Sequence, residues 1–185
     1  MSKVIAGMAI SLDGFVADES GSAGRLHPDL AALQGTDYMN EAIADTGAVL
    51  MGRRAFDMAD DPDSYVGNYE FQVPIFVLTH EPPKVAPKQD ENLTFTFVTD
   101  GVESAVALAT AAAGDKAVTV IGGPSVVQQL LRPGLIDELR VDVMPILLGS
   151  GLQLFGNGEL EAVPLEKVGV REIGARTSLT FRVVK

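Results

Sequence analysis

A chain of 185 residues with 46% hydrophobic and 21% charged side chains carries enough apolar material for one buried core, and its composition excludes a disordered chain. Its 25 acidic against 14 basic residues leave a formal charge of −11, which repels nucleic-acid backbones and anionic membrane surfaces. The absence of cysteine excludes a disulfide framework, a thiolate nucleophile and a zinc–thiolate site.

In chain order, the apolar run from Val4 to Ile10 is too short to cross a bilayer and runs into Ser11-Leu12-Asp13-Gly14 without a cleavage pattern. It reads as a buried strand, Val4–Ser11, of a cytoplasmic protein, so the Asn92-Leu93-Thr94 sequon carries no consequence. A glycine-containing polar loop follows from Asp18 to Gly24. Helical periodicity then extends from about Pro28 to Asp45, interrupted at Gly35. Ala48–Met51 is a second strand, closed by Gly52, with a short helix opening near Arg53 and an exposed acidic loop from Asp57 to Asp63. Pro74–Thr79 and Thr94–Val98 read as the next strands, and an alanine-rich helix spans Val102 to Ala113. Ala117–Ile121 is a strand leading through Gly122-Gly123 into a helix that reaches Leu131. Leu139–Leu148 reads as a long strand, and Leu165–Ile173 with Ser178–Val184 as an antiparallel hairpin. Short apolar runs alternating with helices, then an antiparallel finish, predict one α/β domain over residues 1–185 with a mixed, mainly parallel sheet.

Three places carry candidate chemistry. In Val118-Thr119-Val120-Ile121-Gly122-Gly123-Pro124-Ser125 a buried strand delivers two glycines to a helix start, and Pro124 suits the first turn. Free amides and the helix dipole there can hold a phosphate; a tight turn without a ligand is the bland alternative. In Met51-Gly52-Arg53-Arg54 two arginines open a helix. They can grip a ribose phosphate or merely pair with Asp57, Asp60, Asp61 and Asp63. Leu78-Thr79-His80, at a strand end, can bind phosphate or ribose or form a simple turn before Pro82-Pro83. His27 and His80 lie far apart, and no metal-ligand spacing is visible. There is no G-x-G-x-x-G after the first strand, no Walker A sequence and no G-x-S-x-G elbow.

Taken in order, Ser11-Leu12-Asp13-Gly14, Met51-Gly52-Arg53, Leu78-Thr79, Ile121-Gly122-Gly123 and Asp137-Glu138-Leu139 through Pro145-Ile146-Leu147-Leu148-Gly149 resemble the dihydrofolate-reductase-like superfamily. The nearest branch is that of the reductase domain of riboflavin biosynthesis. The resemblance runs from residue 3 to the end, and Pro145 to Phe155 is its most characteristic stretch. It implies a single-domain three-layer fold, with helices on both faces of the sheet and a C-terminal antiparallel hairpin, and a homodimer. It implies NADPH as cofactor and a small pterin-like or ribosylated pyrimidine as substrate. Ile121, Gly122, Gly123, Pro124, Ser125 and Val126 would then cradle the pyrophosphate, across a Gly-Gly bond that is often cis. Gly52, Arg53, Arg54, Leu78, Thr79 and His80 would surround the adenosine ribose and its extra phosphate. Ala9 and Ile10, with the loop at Asp13-Gly14-Phe15, would border the nicotinamide. Phe15, Phe56 and Phe155 are candidate apolar walls, although phenylalanines in such places are more often core. Asp29, in Leu26-His27-Pro28-Asp29-Leu30, is the candidate catalytic carboxylate, with water as the other proton source; beside Pro28 it is equally an ordinary first-turn residue whose charge complements the helix dipole. Ala55 stands where the family commonly has threonine. The alternative function is a nucleotide-binding protein that keeps the cofactor cleft without turnover.

Overall fold

The computed structural model describes residues 2–156 and 160–185. Among the described residues there are ten strands: β1 (Val4–Ser11), β2 (Phe15–Ala17), β3 (Thr46–Gly52), β4 (Ile75–Leu78), β5 (Phe95–Val98), β6 (Ala117–Ile121), β7 (Glu138–Met144), β8 (Leu152–Gln153), β9 (Leu165–Ile173) and β10 (Arg176–Val183). Eight form one sheet in the order β5-β4-β3-β6-β1-β7-β10-β9, while β2 and β8 pair separately. From β5 to β7 the pairing is parallel, and β10 runs antiparallel to both β7 and β9. The two-residue turn of that final hairpin has Gly174 at φ +59 in its first position, the conformation a tight hairpin asks for there.

Helices cover both faces. On one side lie α5 (Val102–Ala113) and α6 (Pro124–Leu131). Ala105, Ala109 and Ala113 recur every four residues, and this narrow stripe lets α5 lie close against the sheet. There Ala48, Leu50, Val118 and Val120 are buried with Val127 and Leu130 of α6. The opposite face carries α1 (Leu30–Leu33), α2 (Asp37–Asp45), α3 (Arg53–Phe56) and α4 (Tyr65–Asn68). The expected interruption separates α1 from α2, with Gly35 at φ +75. Thr36 then caps α2, its hydroxyl oxygen accepting from the Met39 N–H at 3.3 Å.

Two expectations need correction. Phe56 is no cleft wall: it is 2% exposed and meets Phe95 and Phe97 edge-on, with centroids 5.5 and 5.4 Å away. With Tyr65 and Phe71 it forms an aromatic core over Val49, Met51, Ile75 and Val77, and burial of such a ring is worth ~1.5–3 kcal/mol. The long strand expected to reach Leu148 ends at Met144. Pro145 has no N–H to continue the ladder, and the Ile146 N–H folds back to the Met144 carbonyl at 2.8 Å. Leu12 N–H then donates to the Ile146 carbonyl at 2.8 Å, so this apolar stretch is a turn docked on the end of β1.

Candidate functional site

β1 and β6 pair only from Val4↔Val118 to Gly7↔Ile121. β1 continues beside β7 as far as Ser11↔Met144, while β6 ends and turns into α6. Two neighbouring parallel strands therefore part at their carboxyl ends. Ligands of open α/β sheets bind at such a gap, because strand-end loops and helix starts converge on it.

One side of the gap is built from backbone. The Gly52 N–H donates to the Gly122 carbonyl at 3.2 Å, which sets the starts of α3 and α6 side by side at one end of the sheet. A Cβ on Gly52 would lie 2.9 Å from Val126 Cγ2, and one on Gly122 would lie 3.3 Å from Ala55 Cβ. Gly122 also has φ +60, so both positions need glycine for the two turns to touch. The Gly122–Gly123 peptide bond is cis, as the resemblance implied. Beside Gly123 there is open space. Val126 and Val127 donate back to the Gly123 carbonyl at 3.0 and 3.3 Å, and the Ser125 amide, one place earlier, has no intrahelical acceptor. A free amide at the positive end of a helix, beside uncluttered backbone, fits a phosphate.

Side chains from neighbouring strand ends complete this edge. Arg53 Nε donates to both Asp57 oxygens at 2.8 and 2.9 Å, and its Nη1 donates to the Glu81 carbonyl at 2.8 Å. The Thr79 hydroxyl donates to the same carbonyl at 2.8 Å. Leu78 lies between Gly52 and Val98 in the sheet. Arg53 is thus tied to an acidic neighbour and to the loop after β4. Arg54 is exposed and has no hydrogen bond or ion pair among the described residues, and His80 is exposed beside Thr79. The Ser125 hydroxyl accepts from Gln129 Nε2 at 2.9 Å.

The other side of the gap is a cleft of about 310 Å³ between α2 and the sheet. Its floor includes Gly7, Ala9, Thr119 and Ile121, and its far wall comes from β7 and β10. There Arg140 and Asp142, and Arg176, Ser178 and Thr180, alternate with residues of the opposite face such as Leu139, Val141 and Phe181. Arg176, 4% exposed, holds this wall together. Its Nε and Nη2 donate to Asp29 at 2.9 and 2.6 Å, and its Nη1 donates to Asp142 Oδ2 at 2.6 Å. The Tyr38 hydroxyl donates to that same Oδ2 at 2.7 Å. Arg171 pairs with Glu41 and lies 5.8 Å over the Tyr38 ring.

The charges follow from these contacts. Hydrogen bonds from Arg176 hold the Asp29 carboxyl below the usual carboxylate range. Burial, with Asp142 nearby, pushes the Tyr38 phenol up to about 12. Burial and then the Arg176 charge lower the His27 imidazole, which leaves it neutral at pH 7. Two buried atoms of the wall, Asp142 Oδ1 and His27 Nδ1, have no hydrogen-bond partner among the described residues. A buried polar atom left unpaired costs ~1–3 kcal/mol.

The residues singled out in the sequence divide accordingly. Ala9 lines the cleft, whereas the Ile10 side chain packs into the core on the other face. Asp13 is a structural joint: its carboxylate accepts from Ser11 Oγ at 2.5 Å and from the Leu148 and Gly149 amides at 3.1 and 2.7 Å. Gly14, at φ +90, carries the turn beside it. Phe15 continues into β2, and Phe155 is 46% exposed. Asp29 precedes α1 but makes no side-chain capping bond, since Arg176 occupies it. Tyr38, Asp142, Arg176 and Ser178 were not among the expected site residues. Polar residues alternating along a central strand were the available signal.

A model of the RibD C-terminal domain matches residues 2–179. The uncharacterized protein YyaP of Bacillus subtilis is 27% identical over 165 residues, covering 83% of this chain and 80% of that protein. A putative riboflavin biosynthesis protein of Shewanella sp. PV-4 superposes with a TM-score of 0.76 at 26% identity, over 100% of both chains. A dihydrofolate reductase of Enterococcus faecalis, complexed with NADP(H), superposes with a TM-score of 0.61 at 19% identity, over 99% of this chain and 97% of that one. The fold is therefore dihydrofolate-reductase-like.

Proposed function

We propose a reaction for this chain, which belongs to the RibD C-terminal domain family: hydride transfer from NADPH to a C=N or C=O carbon of a small pterin-like or ribosylated pyrimidine. The observation that carries this reading is the continuity of the two sides of the gap. Ile121 leads directly into Gly122-Gly123 and, with Ala9, also lines the cleft. The NADP(H) complex of the Enterococcus enzyme and the riboflavin name of the Shewanella protein support the cofactor and the substrate class.

When bound, NADPH supplies the hydride, and the protein supplies position and a dry pocket. In this reading Gly122, Gly123 and the free Ser125 amide at the start of α6 receive the pyrophosphate. Arg54, with its guanidinium uncommitted, takes the 2′-phosphate, and Arg53 joins it by exchanging Asp57 for the ligand. Thr79 and His80 border the ribose. These arginines supply the local positive charge that a chain of net charge −11 otherwise lacks. Asp29, held as the anion by Arg176, orients that guanidinium, and the proton completing the reduction comes from water. A cytoplasmic homodimer belongs to the same reading, with the exposed Leu147, Val168 and Val170 as apolar surface for a second copy.

The test is to replace Arg53 and Arg54 together by alanine and titrate both nicotinamide cofactors. NADPH affinity should fall by about tenfold or more, as the loss of charge-assisted bonds predicts, and NADH affinity should change little. Equal losses would overturn the phosphate assignment. Oxidation of NADPH across a panel of pterins and ribosylated pyrimidines tests turnover, and binding with no oxidation across the panel would favour a non-catalytic nucleotide-binding protein.

A further inference from the structure

The two flanks of the cleft differ in charge. Along β7, β10 and β9, each lining arginine is already matched by a carboxylate: Arg140 by Glu138, Arg171 by Glu41, and Arg176 by Asp29 and Asp142. Glu70 and Phe71 line the other flank. Phe71 belongs to the aromatic core over β3 and β4, strands that lie across β6 and β1 from that wall. Glu70 is exposed, and its carboxylate has no ion pair and no hydrogen bond to another residue among the described residues. It is nevertheless poorly hydrated: burial pushes its carboxyl above the usual range, and no cation offsets that. Tyr65 and Tyr69, raised first by their own burial, are raised further by its charge. The other unpaired carboxylate of the lining, Asp45, stands at the amino end of the sheet, where it shares a second hollow with Lys3, Lys116 and Arg140. The uncompensated charge of the cleft is therefore that of Glu70.

We infer that Glu70 is the specificity-determining residue of the cleft, favouring a heterocycle whose side arm carries a positive charge and refusing one whose side arm ends in a carboxylate or phosphate. This inference rests on the reductase reading of the same cleft and adds the charge of the substrate and the residue that selects it. An ammonium reaching Glu70 makes a charge-assisted hydrogen bond in a partly desolvated place and holds the carboxylate in its ionised form. An anion meets the opposite situation. It faces a like charge on one flank, and on the other flank arginines whose charge carboxylates already match. A ribosylated pyrimidine would accordingly enter without a phosphate on its ribose. A neutral side arm falls between the two.

Equilibrium binding at pH 7 without NADPH separates this inference from the reductase reading. The probes are 6-aminomethylpterin, 6-hydroxymethylpterin and pterin-6-carboxylate, which share one ring and carry a positive, a neutral and a negative side arm. Wild-type protein should bind the amine at least about tenfold more tightly than the carboxylate, the scale of a charge-assisted hydrogen bond, with the alcohol between them. Glu70→Gln keeps the shape of the side chain and should shrink that span to within about threefold. Glu103→Gln removes an equal charge from exposed Glu103 on α5, which covers the opposite face of the sheet, and should leave the span as it is. Equal affinity of wild type for the amine and the carboxylate, no binding of any of the three, or an undiminished span in Glu70→Gln each overturns the inference. An equal loss in Glu103→Gln overturns it too, because the net charge of the chain would then account for the preference. NADPH oxidation is not measured in this experiment, so failure here leaves the hydride-transfer reading to its own test.

Discussion

The two sides of the gap between β1 and β6 are built on opposite principles. The Gly52/Gly122 edge is backbone: glycines, free amides and a helix start, drawn from two short contiguous segments. The β7/β10 wall is side chain, with Arg176 joined to Asp29 and Asp142 from 147 and 34 residues away in the chain. A backbone edge tolerates side-chain change but not an added Cβ. A side-chain wall fails when its central charge is removed, because the buried Asp142 loses its counter-ion in a poorly hydrated place.

The largest expected effect breaks the wall. Arg176→Ala should cost about 3–5 kcal/mol in denaturant unfolding, since it leaves the buried Asp142 without its counter-ion. The pH dependence has a defined sign. The folded-state value of Asp29 is depressed below the ordinary 3.8, with Arg176 as the first cause. The contribution of that pair is therefore present above 3.8 and disappears as pH falls through the lower folded value, so the gap between wild type and variant should narrow in acid. A gap unchanged at low pH would remove Asp29 from the network.

Gly122→Ala attacks the backbone edge. The left-handed φ alone should cost about 1–2 kcal/mol, and the crowding against Ala55 adds to it. Thermal unfolding and NADPH titration should both show the loss, and an alanine accepted at no cost would mean the edge is not held as tightly as its geometry requires.

A third measurement sharpens the contrast between buried and exposed polar groups. All three tyrosines, Tyr38, Tyr65 and Tyr69, are pushed above the ordinary value of 10, chiefly by burial, Tyr38 to about 12. Raised values contribute stability that is complete below pH 10 and is lost as pH climbs through the folded-state values. Phenolate absorbance at pH 10, where a free tyrosine is half ionised, should lie below that of three free tyrosines and should rise together with alkaline unfolding. A half-ionised, fully folded protein at pH 10 would contradict the burial of these rings. The smallest effect is expected for Asp57→Asn. Its ion pair with Arg53 joins side chains 50% and 35% exposed, so stability should move by less than about 0.5 kcal/mol. NADPH should nevertheless bind more tightly, because Arg53 is released; an unchanged or weaker affinity would leave Arg53 as a structural residue.

The same division explains what could be seen before the fold was in hand. The strand–Gly-Gly–Pro–helix run at residues 118–125 and the Gly-Arg-Arg run at 52–54 are local, because amides and φ angles belong to neighbouring residues. Asp29 was a candidate from its place before the first helix, but its engagement by Arg176 was invisible there. Tyr38, Asp142 and Arg176 lie in three separate segments, each ordinary by itself. Phe56 was open between cleft wall and core, because its sequence neighbours do not report which way its ring packs, and the ring joins the aromatic core. The apolar stretch after Met144 read as strand because hydrophobicity does not report the N–H that Pro145 lacks.

The amino-acid sequence alone determined the α/β alternation, the antiparallel finish and the glycine-built edge, because periodicity and backbone freedom act over a few residues. Tertiary structure alone decided that β1 and β6 part after Gly7 and Ile121, that Arg176 stands between two carboxylates, and that one oxygen of Asp142 is left without a donor. Those facts depend on which distant strands become neighbours, and burial sets the energy of a charge only once its neighbours are in place.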